Sequence, residues 1–373
     1  MSRRMPDALE QDVVAPGIRN CLDTNEYPYL ALATCDRLKV YLDVNHWVAL
    51  AKARLGRPAS QQDQQVYEML RNATAAGRVI VPLTAATYME VARIGQLRQR
   101  TDLANVVAEI SGLVSITSLS KALDHQLRTA LAARFDGPQP APLRPFGLGQ
   151  PFALGDTRCM VLKKTGGGAP DLSPELIREM ETGGRVFSEY LLLPGPEPHE
   201  IPALRALGYR PEEVAKVEKE RLEREKDLAV RLDAGTSERD RLGDLVHARY
   251  LYWELGDRLS GALEPYGISL TDFFANGKEW LTDLLDDIPS AAVQITLSEK
   301  GFRNSYKKWT GNDIRDGDAM AAAIPYCDVA MSDNYVAAQL AKSQVATRQG
   351  TLVLSRLGDL RDRLPDLIAA HQR

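Results

Sequence analysis

Four acidic residues, far apart in the chain, sit in settings that could do phosphoryl chemistry. Asp43 ends the apolar run of VYLDVNHW, and Glu90 lies in VPLTAATYMEVAR. Asp318 lies in RDGDAMAAAIPYC, and Asp333 ends a second apolar run in DVAMSDNYVA. Carboxylates gathered at strand ends repel one another, and one or more of their pKa values rises until a cation relieves the charge. Magnesium and manganese ions (Mg2+ or Mn2+) prefer such oxygen ligands. A bound ion of this kind polarises a phosphate and lowers the pKa of a water that attacks phosphorus. In that arrangement Asp43 and Asp333 bind metal most directly, while Glu90 and Asp318 bind it or orient its waters. Each acid taken singly reads better as a helix N-cap or first-turn residue that offsets the helix dipole. It is the ordered set of four that points to a site.

The neighbours of these acids add support without adding chemistry of their own. Asn45, Ser332 and Asn334 can hydrogen-bond metal waters or hold carboxylates, though Asn45 and Asn334 also suit helix caps. Asp316 competes with Asp318 but is better placed as the cap of the Ala-rich helix that Asp318 leads. His46 invites a general-base role, yet a first-turn surface histidine is the commoner case. In GFRNSYKKWTGNDIR, Phe302, Tyr306 and Trp309 fall on one face of a predicted helix. Lys300, Arg303 and Lys307 form a second stripe, with Lys308 and Arg315 nearby; these cations are candidates for backbone phosphates. Arg241 and His247, in RLGDLVH, resemble the Arg–His pair of HEPN-type ribonucleases, although a chance pair on an amphipathic helix is the commoner origin. KKTGGG places its lysines before the glycines and a proline after them, so it is not a phosphate loop.

These residues need elements to position them. Hydrophobic patterning predicts a strand at Lys39–Asp43, with a following helix capped by Asn45 and stopped by Gly56 and Pro58. Gln61–Ala76 reads as a helix, Val79–Val81 as a strand, Thr84–Gly95 as the helix carrying Glu90, and Asp102–Val114 as another helix. Gly137–Gly155, Lys163–Pro170 and Pro194–Pro202 are dense in Pro and Gly and read as breaks. Pro211–Asp233 is a long charged helix with a thin apolar stripe of Val214, Val217, Leu222, Leu228 and Leu232. Arg239–Leu263, Ser298–Trp309 and Asp316–Ile324 come next as helices. Asp328–Met331 and Thr351–Leu354 read as strands, with helices at Asn334–Ser343 and Asp359–His371.

The order of these segments resembles the PIN domain, a compact α/β nuclease fold of RNA-cleaving toxins and RNA-processing enzymes. The matching pieces are Leu42-Asp43-Val44-Asn45, Glu90 after Val79-Ile80-Val81, Asp318 before Ala319-Met320-Ala321-Ala322-Ala323, and Ser332-Asp333 after Ala330-Met331. They cover roughly Lys39–Ser120 and Pro289–Ile368. The resemblance implies an α/β fold: a PIN-like parallel sheet flanked by helices and interrupted by a mostly helical insertion. On that division residues 1–37 are an irregular arm with a short helix near Tyr29–Ala33. Residues 38–120 and 288–373 are the two parts of the PIN-like domain, and 121–287 are the insertion. It also implies endonucleolytic cleavage of RNA more readily than DNA, in a toxin, defence or RNA-processing setting. The insertion would then recognise substrate, dimerise or bind a regulatory protein. A non-catalytic PIN-like scaffold is the alternative of a different class, and a metal-independent ribonuclease using Arg241 and His247 is the other.

Composition sets the outer bounds. At 373 residues and 44% hydrophobic content, the chain is long enough for two or three domains or for one with a large insert. A formal charge of −4 excludes a strongly basic nucleic-acid binder but not a local basic groove. Cys21, Cys35, Cys159 and Cys327 show no paired metal spacing, which argues against zinc and for a reducing compartment. No secretory signal and no membrane span are expected, so a cytoplasmic location follows by default.

Overall fold

A computed structural model describes residues 37–155, 193–206, 209–235 and 239–371. The expected N-terminal arm with its short helix, the Lys163–Pro170 break, and Cys21, Cys35 and Cys159 lie outside the described residues. The fold is mixed α/β, with a four-stranded parallel sheet in the order β2 (Val79–Ile80), β1 (Leu38–Leu42), β5 (Val329–Met331) and β6 (Leu352–Leu354), and a separate antiparallel pair, β3 (Val114–Ile116) and β4 (Phe146–Leu148). No described helix is long and apolar enough to cross a membrane. The chain divides into two compact units. Unit 1 is Met1–Ser118, Arg144–Pro198 and Leu354–Arg373, and unit 2 is Leu119–Leu143 and His199–Val353. This partition differs from the one read in the sequence, because residues 144–155 and 193–198 group with the first unit and 288–353 with the second.

In unit 1, strand β1 (Leu38–Leu42) pairs in parallel with β2 (Val79–Ile80), Leu38 opposite Val79 and Lys39 opposite Ile80. Leu38, Val40, Tyr41 and Leu42 are all buried. A strand covered on both faces needs such a near-continuous apolar run. The helix Val44–Arg54 begins at once and buries Trp47 and Leu50. The next helix, Gln61–Ala75, starts at a capping box in which Ser60 and Asp63 satisfy each other's backbone N–H. A third helix, Leu97–Ser111, packs on both. Its Glu109 is nearly buried and is matched by Arg54 Nε (2.7 Å), Arg71 Nε (3.0 Å) and the Tyr67 hydroxyl (3.2 Å). The expected helix Asp102–Val114 thus begins earlier, and Val114 opens a strand instead.

That strand, β3 (Val114–Ile116), pairs antiparallel with β4 (Phe146–Leu148). The expected loop at Gly137–Gly155 therefore contains a strand and a short helix, Gly149–Leu154. Gly147 explains the discrepancy: a Cβ there would overlap the Phe152 ring, so the glycine serves close packing rather than a turn.

Unit 2 is mainly helical. Helix Pro289–Arg303 packs against Gly311–Ala323, where Ala321 and its neighbouring alanines are small enough that Ser290 Oγ donates to the Ala321 carbonyl at 2.8 Å. Helix Leu119–Arg134 joins them through Gln126, whose Nε2 donates to Ser290 Oγ (3.1 Å) and to the Tyr326 hydroxyl (2.8 Å). Gln126 Oε1 accepts from Ser290 N–H at 2.9 Å, so this buried amide is satisfied on both sides. The strands β5 (Val329–Met331) and β6 (Leu352–Leu354) come later in the chain. Phe273 anchors the far side of the core, fully buried and edge-on to Trp280 at 5.5 Å.

Two helical expectations are corrected here. Helix Pro289–Arg303 ends at Arg303, so Phe302, Tyr306 and Trp309 do not share a helical face. Phe302 and Trp309 are buried and in contact at 4.7 Å, while Tyr306 is 93% exposed. The long charged helix, Pro211–Ala234, leaves Val214 and Val217 exposed. Leu222, Leu228 and Leu232 pack on the core as expected, and the inward line runs through Glu218, Arg221, Glu225, Leu228 and Leu232, spaced three and four residues apart. The first three pair with Arg315, Asp318 and Arg249.

Removing the Phe273 ring should leave a cavity that this helical core cannot close. Phe273→Ala is expected to lower stability by about 3–5 kcal/mol. Urea unfolding followed by tryptophan fluorescence checks this, with the midpoint falling and the slope unchanged.

Candidate functional site

Asp43 occupies the turn between β1 and the helix Val44–Arg54, in extended backbone geometry (φ −68°, ψ 158°). Its carbonyl accepts from the His46 and Trp47 N–H groups, so Asp43, not Asn45, stands at the N-cap position. Asn45 lies inside the first turn, and its Nδ2 donates to Asp43 Oδ2 at 3.4 Å. His46 is buried rather than on the surface. Its Nε2 donates to the Ser355 carbonyl at 3.1 Å, which fixes the ring in place.

Tyr41, two residues before Asp43, reports on the acids around it. Its hydroxyl is fully buried, and burial pushes its pKa well above the ordinary phenol value. The charges of Asp43 and Glu90 push it further, while hydrogen bonds with the Thr84 and Thr87 side chains pull it back. Glu90 comes from the helix Ala85–Arg93, which Thr84 caps through the Thr87 N–H. A strand end and a separate helix thus direct negative charge at one neutral phenol. Carboxylate oxygens of this kind are the ligands that a hard divalent cation prefers.

The other two acids belong to unit 2, where each has a defined partner. Asp318 is held by Arg221 through two bonds, Nη1 to Oδ2 at 2.6 Å and Nη2 to Oδ1 at 3.0 Å. Gln294 Nε2 donates to the same Oδ1 at 2.6 Å, and Gln294 Oε1 accepts from the Tyr250 hydroxyl, also at 2.6 Å. Burial acts to lower the Arg221 pKa, but Asp318 and Glu254 more than offset it, so the guanidinium stays charged. These groups line a cleft of about 90 Å³. Asp318 does not head its helix: that helix begins at Gly311, behind a capping box of Thr310 and Asp313. Asp316 is likewise inside it and is not its cap. Asp333 caps the helix Asn334–Ala341, its Oδ1 accepting from Val336 N–H at 2.7 Å, and Ser332 beside it is buried.

The predicted cations divide by environment. Lys307 is mostly buried, with Nζ 2.9 Å from Asp313 and lying over the Trp309 and Tyr335 rings. Arg315 pairs with Glu218 and Asn312, and both of these cations therefore serve packing. Arg303 is exposed and pairs with Glu299, and Lys308 is exposed. Arg241 is largely exposed, and His247 Nδ1 donates to the Gly243 carbonyl at 2.7 Å within its own helix. Sequence reading missed Arg221, Gln294 and Tyr250. Arg221 lies in a run of charged residues in which no single cation stands out.

Among the described residues, no group of three or more His, Cys, Asp or Glu side chains stands in metal-holding geometry. No protein-family model matches the chain, and no curated protein or solved structure matches it significantly.

The Arg221–Asp318 pair is two-pronged and about three quarters buried on each side. A double-mutant cycle with Arg221→Met and Asp318→Asn should give a coupling of about 1–2 kcal/mol, above that of an exposed pair. Equilibrium unfolding of the four proteins measures it.

Proposed function

We propose that the chain is a metal-dependent endonuclease that hydrolyses phosphodiester bonds, of RNA more readily than DNA. The observation that carries this reading is that Asp43, at the end of β1, and Glu90, on the helix Ala85–Arg93, both act by their charge on the buried Tyr41 hydroxyl. Tyr41 stays protonated and neutral there, and its raised pKa reflects the charge of both carboxylates. Asn45 steadies Asp43 through its amide. A magnesium or manganese ion, when bound, would supply charge neutralisation at the phosphate and an activated water. Asp43 and Glu90 are its proposed ligands. Asp333 and Asp318 enter from the ordered pattern that resembles the PIN domain, and Asp318 takes part only if Arg221 releases it. This Arg221 engagement favours a second reading, a PIN-like scaffold without catalysis whose helical part binds a partner protein.

Cleavage of labelled single-stranded RNA and DNA separates the two. Manganese should support cutting and EDTA should stop it. Asp43→Asn and Glu90→Gln should each lower the rate at least 100-fold, an order of magnitude typical for lost catalytic charge stabilisation, without changing the circular dichroism spectrum. Full activity in a folded Asp43→Asn protein would sink the assignment. Activity that survives EDTA and both substitutions would move the chemistry to Arg241 and His247.

Cation binding has a second readout that needs no substrate. An ion that binds the native state alone raises the melting temperature, by about 2.7 kcal/mol of stabilisation at 100 times Kd. Millimolar magnesium or manganese should raise the wild-type melting temperature and leave that of Asp43→Asn unmoved. Equal shifts in both proteins would place the ion elsewhere.

A further inference from the structure

The helix Leu242–Tyr250 continues into a π-helical turn, Leu251–Leu255, before resuming at Gly256–Leu263. A π turn inserts an extra residue into the helical repeat and re-aims the side chains on it; such turns are frequent at functional sites. Here Leu251 and Leu255 go into the core, whereas Tyr252 and Trp253 project outward, 70% and 51% exposed. The two rings meet edge to face at 4.8 Å. Two adjacent large aromatics left in water are a cost that packing does not explain.

The charge around these rings narrows what they can hold. Arg224, from the long helix Pro211–Ala234, stacks its guanidinium 4.4 Å from the Trp253 ring centre. On that side Trp253 borders a cleft of about 830 Å³, whose wall carries Lys216, Lys219, Arg224 and Arg231. Three acids, Glu220, Glu223 and Asp227, share that wall. The pair Lys216–Glu220 is exposed and 3.9 Å apart, so it holds its cation weakly and a phosphate can compete. On the other side both rings border an apolar groove of about 800 Å³ that includes the half-exposed Leu270 and Phe274, with Arg241 and Lys278 at its edge.

We infer that this surface of unit 2 binds single-stranded nucleic acid. Bases stack on Tyr252 and Trp253 and in the apolar groove, and backbone phosphates track the cations of the long helix. Stacking on exposed aromatics beside a line of cations is how single strands are held without sequence preference. A duplex hides its base faces and gains only the phosphate contacts. A purely apolar peptide would use the groove but would leave the charged wall, in which cations outnumber acids, without a role. The inference is independent of the acids at Asp43 and Glu90.

Fluorescence anisotropy of a labelled single strand of about twelve nucleotides, a length within the range such sites cover, tests it in EDTA so that no cleavage intervenes. RNA, DNA and duplex arms are run in parallel. Trp253→Ala and Tyr252→Ala should each weaken single-strand binding about tenfold, and Trp253→Phe should retain most of it. Lys216→Glu with Lys219→Glu should flatten the salt dependence by about one to two units of slope. Equal affinity of Trp253→Ala and wild type overturns the inference, as does a duplex bound as tightly as the single strand. Absence of binding, with self-association that Trp253→Ala abolishes, also overturns it and makes the patch a contact between copies. Binding that holds while cleavage fails counts against the nuclease reading alone.

Discussion

A carboxylate withdrawn from water must be matched by positive charge or by hydrogen-bond donors, and much of this structure is organised by how each one is matched. Glu109 is surrounded by Arg54, Arg71 and the Tyr67 hydroxyl, and the set ties three helices of unit 1 together. Asp318 takes Arg221 and Gln294, with Tyr250 behind Gln294. Asp333 takes a backbone N–H at the start of its helix. Asp43 accepts from the Asn45 amide. Together with Glu90 it bears on the Tyr41 phenol, and their charge makes that phenol harder to ionise.

The strands of the parallel sheet were the most legible elements in the sequence, whereas β3 and β4 were not read. Strand β1 is an unbroken apolar run that ends in Asp43, and burial on both faces leaves that pattern little freedom. Helix existence was also legible, but helix starts were less so. Asp318 looked like the head of an Ala-rich helix because the alanines begin after it. The helix in fact reaches back to Thr310, since the capping box with Asp313 starts it and polar residues continue it on an exposed face. The stretch around Trp309 failed for the opposite reason. Its aromatics fit helical spacing, yet the chain leaves the helix at Arg303 and brings Trp309 back onto Phe302 by a turn.

Of the candidate site, the acids of unit 1 were readable because they stand beside patterned elements. The partners of Asp318 were not, because an ion pair between positions 221 and 318 leaves no local trace. The exposed Tyr252–Trp253 pair was hidden for a similar reason. Read as an uninterrupted α-helix, Leu242–Leu263 puts Trp253 on its apolar stripe, and only the π turn turns it out.

The helix Pro211–Ala234 has too few apolar side chains to fill its buried face, and charged pairs take their place. Its inward line runs 218, 221, 225, 228 and 232, the three-and-four spacing of an ordinary buried stripe. Only the last two positions are leucines. The first three are charged and reach Arg315, Asp318 and Arg249, all in partly buried pairs. Such pairs add less net stability than leucines of similar volume, but removing one partner leaves the other uncompensated. Their geometry also fixes register more tightly than apolar contact does, because a guanidinium fork accepts few orientations. Arg221 thereby places Arg224, one turn further on, against Trp253. Asp318 consequently has a mechanical role whatever its chemistry. If it also serves a cation, that cation competes with the ion pair that anchors the long helix, and the surface presented by Arg224 and Trp253 would feel the exchange.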